Sequence, residues 1–176
     1  MKQSYRFLVI GCSLMLLVVM SACVKPEVFP PEPEITYESY EILGDSLLLS
    51  VRFTDGDGDV GLNQSDTTGD FAQSSFYHYN YYVEYYEKMD GNWVKGTTDL
   101  SGNNFPSGDT INFQYRIKNL TPIGQNKALK GTINIHLAPT FYNPISNHND
   151  TIMYAITLID RALNKSNRIL TPEIVR

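Results

Sequence analysis

Cysteine is scarce in this chain, and its placement excludes a disulfide-built fold. There are two, Cys12 and Cys23, both ahead of any candidate domain, so the small disulfide scaffold of secreted proteins is ruled out. Stability has to come from packing, with a bound cation as the other open source. Histidine is nearly as sparse. His78, His136 and His148 sit in separate segments, and there is no C-x-x-C, H-E-x-x-H, G-x-S-x-G or phosphate-loop pattern, so no familiar zinc or nucleophile constellation is spelled out. Positive charge is short too: 14 Lys+Arg against 19 Asp+Glu. That balance argues against nucleic acid, which needs a basic stripe. No segment carries a convincing helical period, and one tryptophan, Trp93, reads as a packing residue.

The single long apolar run is Phe7 to Met20. It matches a signal-peptide core in length and is short for a membrane span. Lys2 and Arg6 stand before it, and Met20-Ser21-Ala22-Cys23 follows. The pattern resembles the lipobox of bacterial lipoproteins, with Met20 where leucine is usual. The resemblance implies a signal peptide over residues 1–22, thioether lipidation of Cys23, and a membrane held through that lipid. Val24 follows where an aspartate would retain a lipoprotein in the inner membrane, which implies the outer membrane, facing the periplasm or the cell surface. Without the leader, 154 residues remain with 12 Lys+Arg against 19 Asp+Glu, a formal charge of −7. Residues 23–34, with VKPEVFPPEPE after the cysteine, read as an extended proline-rich spacer, and the folded domain as 35–176.

Charge and backbone freedom concentrate in FTDGDGDVGL, Phe53 to Leu62. Asp55, Asp57 and Asp59 alternate with Gly56 and Gly58. Hard cations such as Ca2+ need six to eight oxygen ligands, glycines let the backbone converge such ligands, and three unpaired carboxylates repel one another until neutralised. The EF-hand template fails: its sixth position is Val60, its twelfth is Asp66, and the residues ahead read as strand. The open alternatives are a Ca2+ loop at Asp55, Asp57 and Asp59, or a solvated Asp/Gly turn.

Around this loop the pattern is one of strands. Ile35, Tyr37 and Ser39 begin the domain. Leu47, Leu49, Val51 and Phe53 alternate with polar neighbours, as a half-buried strand does. Phe76 to Lys88 is expected as one strand, with Tyr77, Tyr79, Tyr81, Val83 and Tyr85 on one face; that face reads as core, a row for stacking sugars being the other reading. Asp90-Gly91 marks a hairpin. Strands follow at Ile111–Lys118 and Thr132–Leu137. Ile152–Asp160 is apolar on both faces and so central, and Arg168–Val175 closes the chain as an edge strand carrying Pro172. Seven to eight strands without helices imply an all-β sandwich.

ITLIDRALNKSN resembles the closing hairpin of bacterial immunoglobulin-like domains, which often reads D-x-A-x-N-x-S; Asp160, Ala162, Asn164 and Ser166 match, and Leu163 stands where glycine is usual. FTDGDGDVGL is similar to a loop of uncharacterised Bacteroidota lipoproteins. Together these imply an immunoglobulin-like β-sandwich without a settled family activity. Ser46, Thr67, Thr110 and Thr151 each follow an aspartate, a pattern that resembles the O-glycosylation motif of exported Bacteroidota proteins and that turn-to-strand junctions also produce. The expected function is a non-catalytic binding or scaffolding module of the cell envelope with a glycan or protein ligand. The alternative is a structural accessory subunit of an outer-membrane complex, and an enzyme of unknown class stands third.

Overall fold

The computed structural model describes residues 27–98, 110–123 and 127–176. The expected leader and lipidated Cys23 lie outside them. The described residues contain nine strands and no α-helix: β1 (Glu34–Leu43), β2 (Ser46–Asp55), β3 (Tyr81–Met89), β4 (Asn92–Lys95), β5 (Asn112–Tyr115), β6 (Leu129–Leu137), β7 (Thr151–Leu158), β8 (Ile169–Leu170) and β9 (Ile174–Val175). None of their helical turns is long and apolar enough to cross a membrane.

They form two antiparallel sheets. The smaller runs β1-β2-β6, the larger β4-β3-β7-β8, with β5 also on β3 and β9 also on β7. Alternation sets the faces. Leu47, Leu49, Val51, Phe53, Ile133, Ile135 and Leu137 point inward from the smaller sheet. Tyr81, Val83, Tyr85, Ile152, Tyr154, Ile156, Leu158 and Ile174 meet them from the larger. This is the expected all-β sandwich, one strand richer because the closing segment divides. There Pro172 cannot donate to a ladder, and β8 and β9 take separate parts of the β7 edge.

β7 is central as expected, between β3 and the closing strands, and Ile152 through Ile156 are buried on both faces. β1 is longer than expected and bulges between Tyr37 and Ser39. The Asp90-Gly91 hairpin forms, with both residues at positive φ, 50° and 82°, as a type I′ turn requires.

The tyrosine strand needs a correction. It begins at Tyr81, not Phe76, because Phe76–His78 is a 3-10 turn. The Ser75 hydroxyl accepts the Tyr77 N–H at 3.1 Å, the His78 ring bonds the Phe71 carbonyl at 3.1 Å, and the Tyr82 hydroxyl donates to the carbonyls of Phe76 and Tyr79. Local side-chain bonds of this kind compete with a ladder. Tyr77 and Tyr79 therefore precede the core face that Tyr81, Val83 and Tyr85 line. Part of the expected spacer also packs on the domain: Pro33 is buried, and Gly56 N–H donates to Pro30 O at 2.8 Å.

Candidate functional site

Two places gather side chains that could act. The first closes one end of the sandwich. Asp55 is the last residue of β2, and Asp160 lies two residues past β7, so each occupies the next core-facing position of its sheet. Asp59 comes between them from the glycine loop. One carboxylate oxygen from each of Asp55, Asp59 and Asp160 lies within 4.8 Å of the others. Asp57, expected beside Asp55 and Asp59, is exposed and outside this group, and sequence reasoning gave Asp160 only a structural part in the hairpin.

Each aspartate spends oxygen on the backbone. Asp55 Oδ2 accepts the N–H groups of Asp59 (2.9 Å) and Val60 (3.3 Å). Asp59 Oδ2 accepts Ala162 N–H at 2.9 Å, and Asp160 accepts both the N–H and the side-chain amide of Asn164 at 2.7 and 2.8 Å. The loop and the closing turn are thus sewn together. Left over are Asp55 Oδ1 and Asp59 Oδ1, both buried and without a hydrogen-bond partner among the described residues.

Burial, then the Asp57 and Asp59 charges, push the Asp55 carboxyl up to about 6. Burial and the neighbouring Asp160 and Asp57 raise Asp59, against the pull of the Ala162 N–H and Arg161. Burial raises Asp160, while the bonds from Asn164 oppose it. A carboxyl whose pKa is raised on folding binds an extra proton in the folded state, so its contribution falls as pH rises from about 4 through 6. In chelator, Asp55→Asn is therefore expected to match the wild type near pH 4. By pH 7 it should exceed it by on the order of 2–3 kcal/mol, at about 1.4 kcal/mol per pKa unit. Urea melts at the two pH values check this, and equal differences at both would contradict it.

The second place is a groove of about 360 Å³ on the outer face of the larger sheet, where β3, β5 and β7 present Tyr82, Glu84, Asn112, Gln114 and Thr157. Phe76, 58% exposed, stacks on Tyr82 with ring centres 4.8 Å apart, and the Lys165 ammonium lies over Phe76 at 5.6 Å. Glu84 is held by Lys95 and Arg168. The core reading of the tyrosine strand is the one that forms, and the alternative, an open row of tyrosines for stacking sugars, is absent from the described strand: Tyr82 and Tyr86 are half-buried, and Arg168 and Lys95 lie over Tyr86.

The four candidate modification sites are dispersed. Ser46 and Thr151 are half-buried and open β2 and β7, while Thr67 and Thr110 are exposed. His136 is exposed on β6, and His78 and His148 are half-buried in the 3-10 turn and in the loop before β7. Neither a family model, a curated protein nor a solved structure matches this chain.

Proposed function

We propose that the chain is a lipid-anchored, non-catalytic binding module of the cell envelope, and that its ligand is a glycan taken in the outer-face groove. The observation that carries this reading is Phe76, an exposed ring in the 3-10 turn before β3 that stacks on Tyr82 of the sheet, beside side chains with hydrogen-bonding capacity to spare. The side chains of Gln114 and Lys165 make neither a hydrogen bond nor an ion pair among the described residues, the Lys165 ammonium lying over the Phe76 ring. Aromatic surface with a few convergent polar groups is the usual chemistry of a ligand site, and the surrounding sheet holds it in place. The anchor rests on the lipobox resemblance at Cys23 and places the module at the outer membrane.

The accessory-subunit reading has its own support in β6. Its nine residues pair only with β2 among the described residues, and an open strand edge is a template for a partner strand. Full-length chain expressed with its leader separates the readings. It should fractionate with membranes and lose them on Cys23→Ser. It should also bind bacterial or host polysaccharide, with Phe76→Ala lowering affinity about tenfold, or about 1.4 kcal/mol. Polysaccharide binding indifferent to Phe76→Ala would remove the groove as the site. Co-purification of an outer-membrane protein with no polysaccharide binding would favour the accessory subunit.

A further inference from the structure

We propose that Asp55, Asp59 and Asp160 together hold one Ca2+ ion, which ties the end of β2 to the turn that follows β7. The site is independent of what the groove binds, and its ligand set differs from the run of alternating aspartates that the sequence displays.

An acidic cluster alone is no site, since exposed carboxylates gather without ions. Here a second observation points to a ligand. Asp55 is 0% exposed, and among the described residues neither its Oδ1 nor the buried Asp59 Oδ1 has a hydrogen-bond partner. Buried polar atoms are nearly always satisfied, and an unsatisfied charged one carries a large desolvation penalty. The nearby cation does not resolve this. Arg161 donates through Nη2 to Gly61 O at 3.0 Å, and its Nε is 3.8 Å from Asp66, while both aspartate oxygens stay bare.

The donor set points to the ion. Ca2+ binds oxygen at about 2.3–2.6 Å, so two ligands on opposite sides of it are roughly 4.8 Å apart. The three carboxylate oxygens lie within 4.8 Å of one another and fit inside one such shell. Mg2+ demands near-ideal octahedral geometry and usually takes only one or two carboxylates, so three carboxylates held by backbone bonds favour Ca2+. Three carboxylates and a dication leave one negative charge, and water can complete the coordination number. The backbone bonds to Asp55 Oδ2 and Asp59 Oδ2 leave the Oδ1 of each residue available to an ion. Asp57, exposed on the same loop, adds negative potential and takes no place in the shell.

The consequence is mechanical. β2 belongs to the smaller sheet and β7 to the larger, so an ion here fastens the two layers at one end. The same loop carries Gly56, whose N–H holds Pro30 of the segment leading back toward Cys23. Calcium would firm the point where the domain meets its tether.

The test uses the full chain purified in detergent, with calorimetric titration of CaCl2 and thermal melts in EDTA, CaCl2 or MgCl2. The expected result is one Ca2+ per chain, a melting temperature raised by Ca2+ more than by Mg2+, and affinity reduced more than about 10–100-fold by Asp55→Asn or Asp160→Asn, since loss of a mere supporting group already costs that much. Asp57→Asn should bind within a few-fold of wild type. In EDTA, Asp55→Asn should melt no lower than wild type, because it removes a bare buried charge; its lost binding then cannot be misfolding. Wild-type chain that neither binds Ca2+ nor changes its melting temperature would overturn the proposal. So would binding abolished by Asp57→Asn and kept by Asp160→Asn.

Discussion

Gly58→Ala should destabilise the domain by about 2–5 kcal/mol, a large share of the roughly 5–15 kcal/mol that holds an ordinary domain together. Gly58 has φ +70°, and a Cβ built there would lie 1.7 Å from the Lys127 carbonyl oxygen and 2.6 Å from its carbon. These are backbone atoms leading into β6, not the loose end of a side chain, so the strand entry itself would have to move. The left-handed backbone accounts for about 1–2 kcal/mol in a residue with a Cβ, and overpacking of this kind adds about 1–3 kcal/mol. Gly44→Ala separates the two. Its φ is +63° and nothing lies within 4 Å of its would-be Cβ, so it should lose only the backbone part, about 1 kcal/mol. Urea midpoints of the two variants measure the difference. If Gly58→Ala lost no more than Gly44→Ala, the close approach of Lys127 would not be a structural requirement.

The same geometry explains what the glycine loop is for and why its sequence was only half legible. Gly56 abuts the carbonyls of Phe29 and Pro30, and Gly61 abuts Lys118 and Asn119. With Gly58 against Lys127, the loop packs beneath three backbone segments that are remote in sequence. Alternating glycines announce a tight turn, but nothing local says what presses on them. The aspartates were more readable than they looked. Leu47, Leu49, Val51 and Phe53 set a core-facing phase that arrives next at Asp55; Ile152, Tyr154, Ile156 and Leu158 set one that arrives at Asp160. A charged residue in phase with a core stripe is a signal, and it picks out Asp55 and Asp160, together with Glu87 after Tyr81, Val83 and Tyr85, from the other acidic residues. It passes over Asp57, and it needs the two-sheet fold to show that the two phases converge. The tyrosine segment misled for the opposite reason: its alternation runs unbroken through Phe76 to Tyr79, while the Tyr77 N–H bond to the Ser75 hydroxyl and the bonds of the His78 and Tyr82 side chains take those residues into a turn. In the closing turn, Leu163 adopts φ +69°, a left-handed conformation that glycine takes without strain, and the Asp160–Asn164 bonds close the turn around it.

Tyr85→Phe, the loss of one oxygen, should destabilise the domain by about 3 kcal/mol. Tyr85 is 1% exposed at the centre of β3, and its hydroxyl is the junction of a buried polar network. It donates to Glu87 Oε1 at 2.9 Å and accepts the Asn143 N–H at 3.1 Å. Ser146 donates to the other Glu87 oxygen at 2.6 Å, and Glu87 itself is only 5% exposed. Removing the hydroxyl strands a buried carboxylate oxygen and a buried N–H together. Each such orphan is worth about 1–3 kcal/mol, more when charged. Tyr86→Phe provides the contrast, because its hydroxyl meets the cations of Arg168 and Lys95 at the surface, and its loss should stay within about 0.5 kcal/mol. The segment from Asn143 to Asn149 hangs on this network, through Ser146 and through the Asn149 amide on the Asn143 carbonyl at 2.6 Å. Amide exchange at Asn143 and His148 should therefore quicken in Tyr85→Phe beyond what the lower global stability explains. Unfolding midpoints that do not separate Tyr85→Phe from Tyr86→Phe would show that water or a rearranged loop satisfies Glu87 as well as the phenol does.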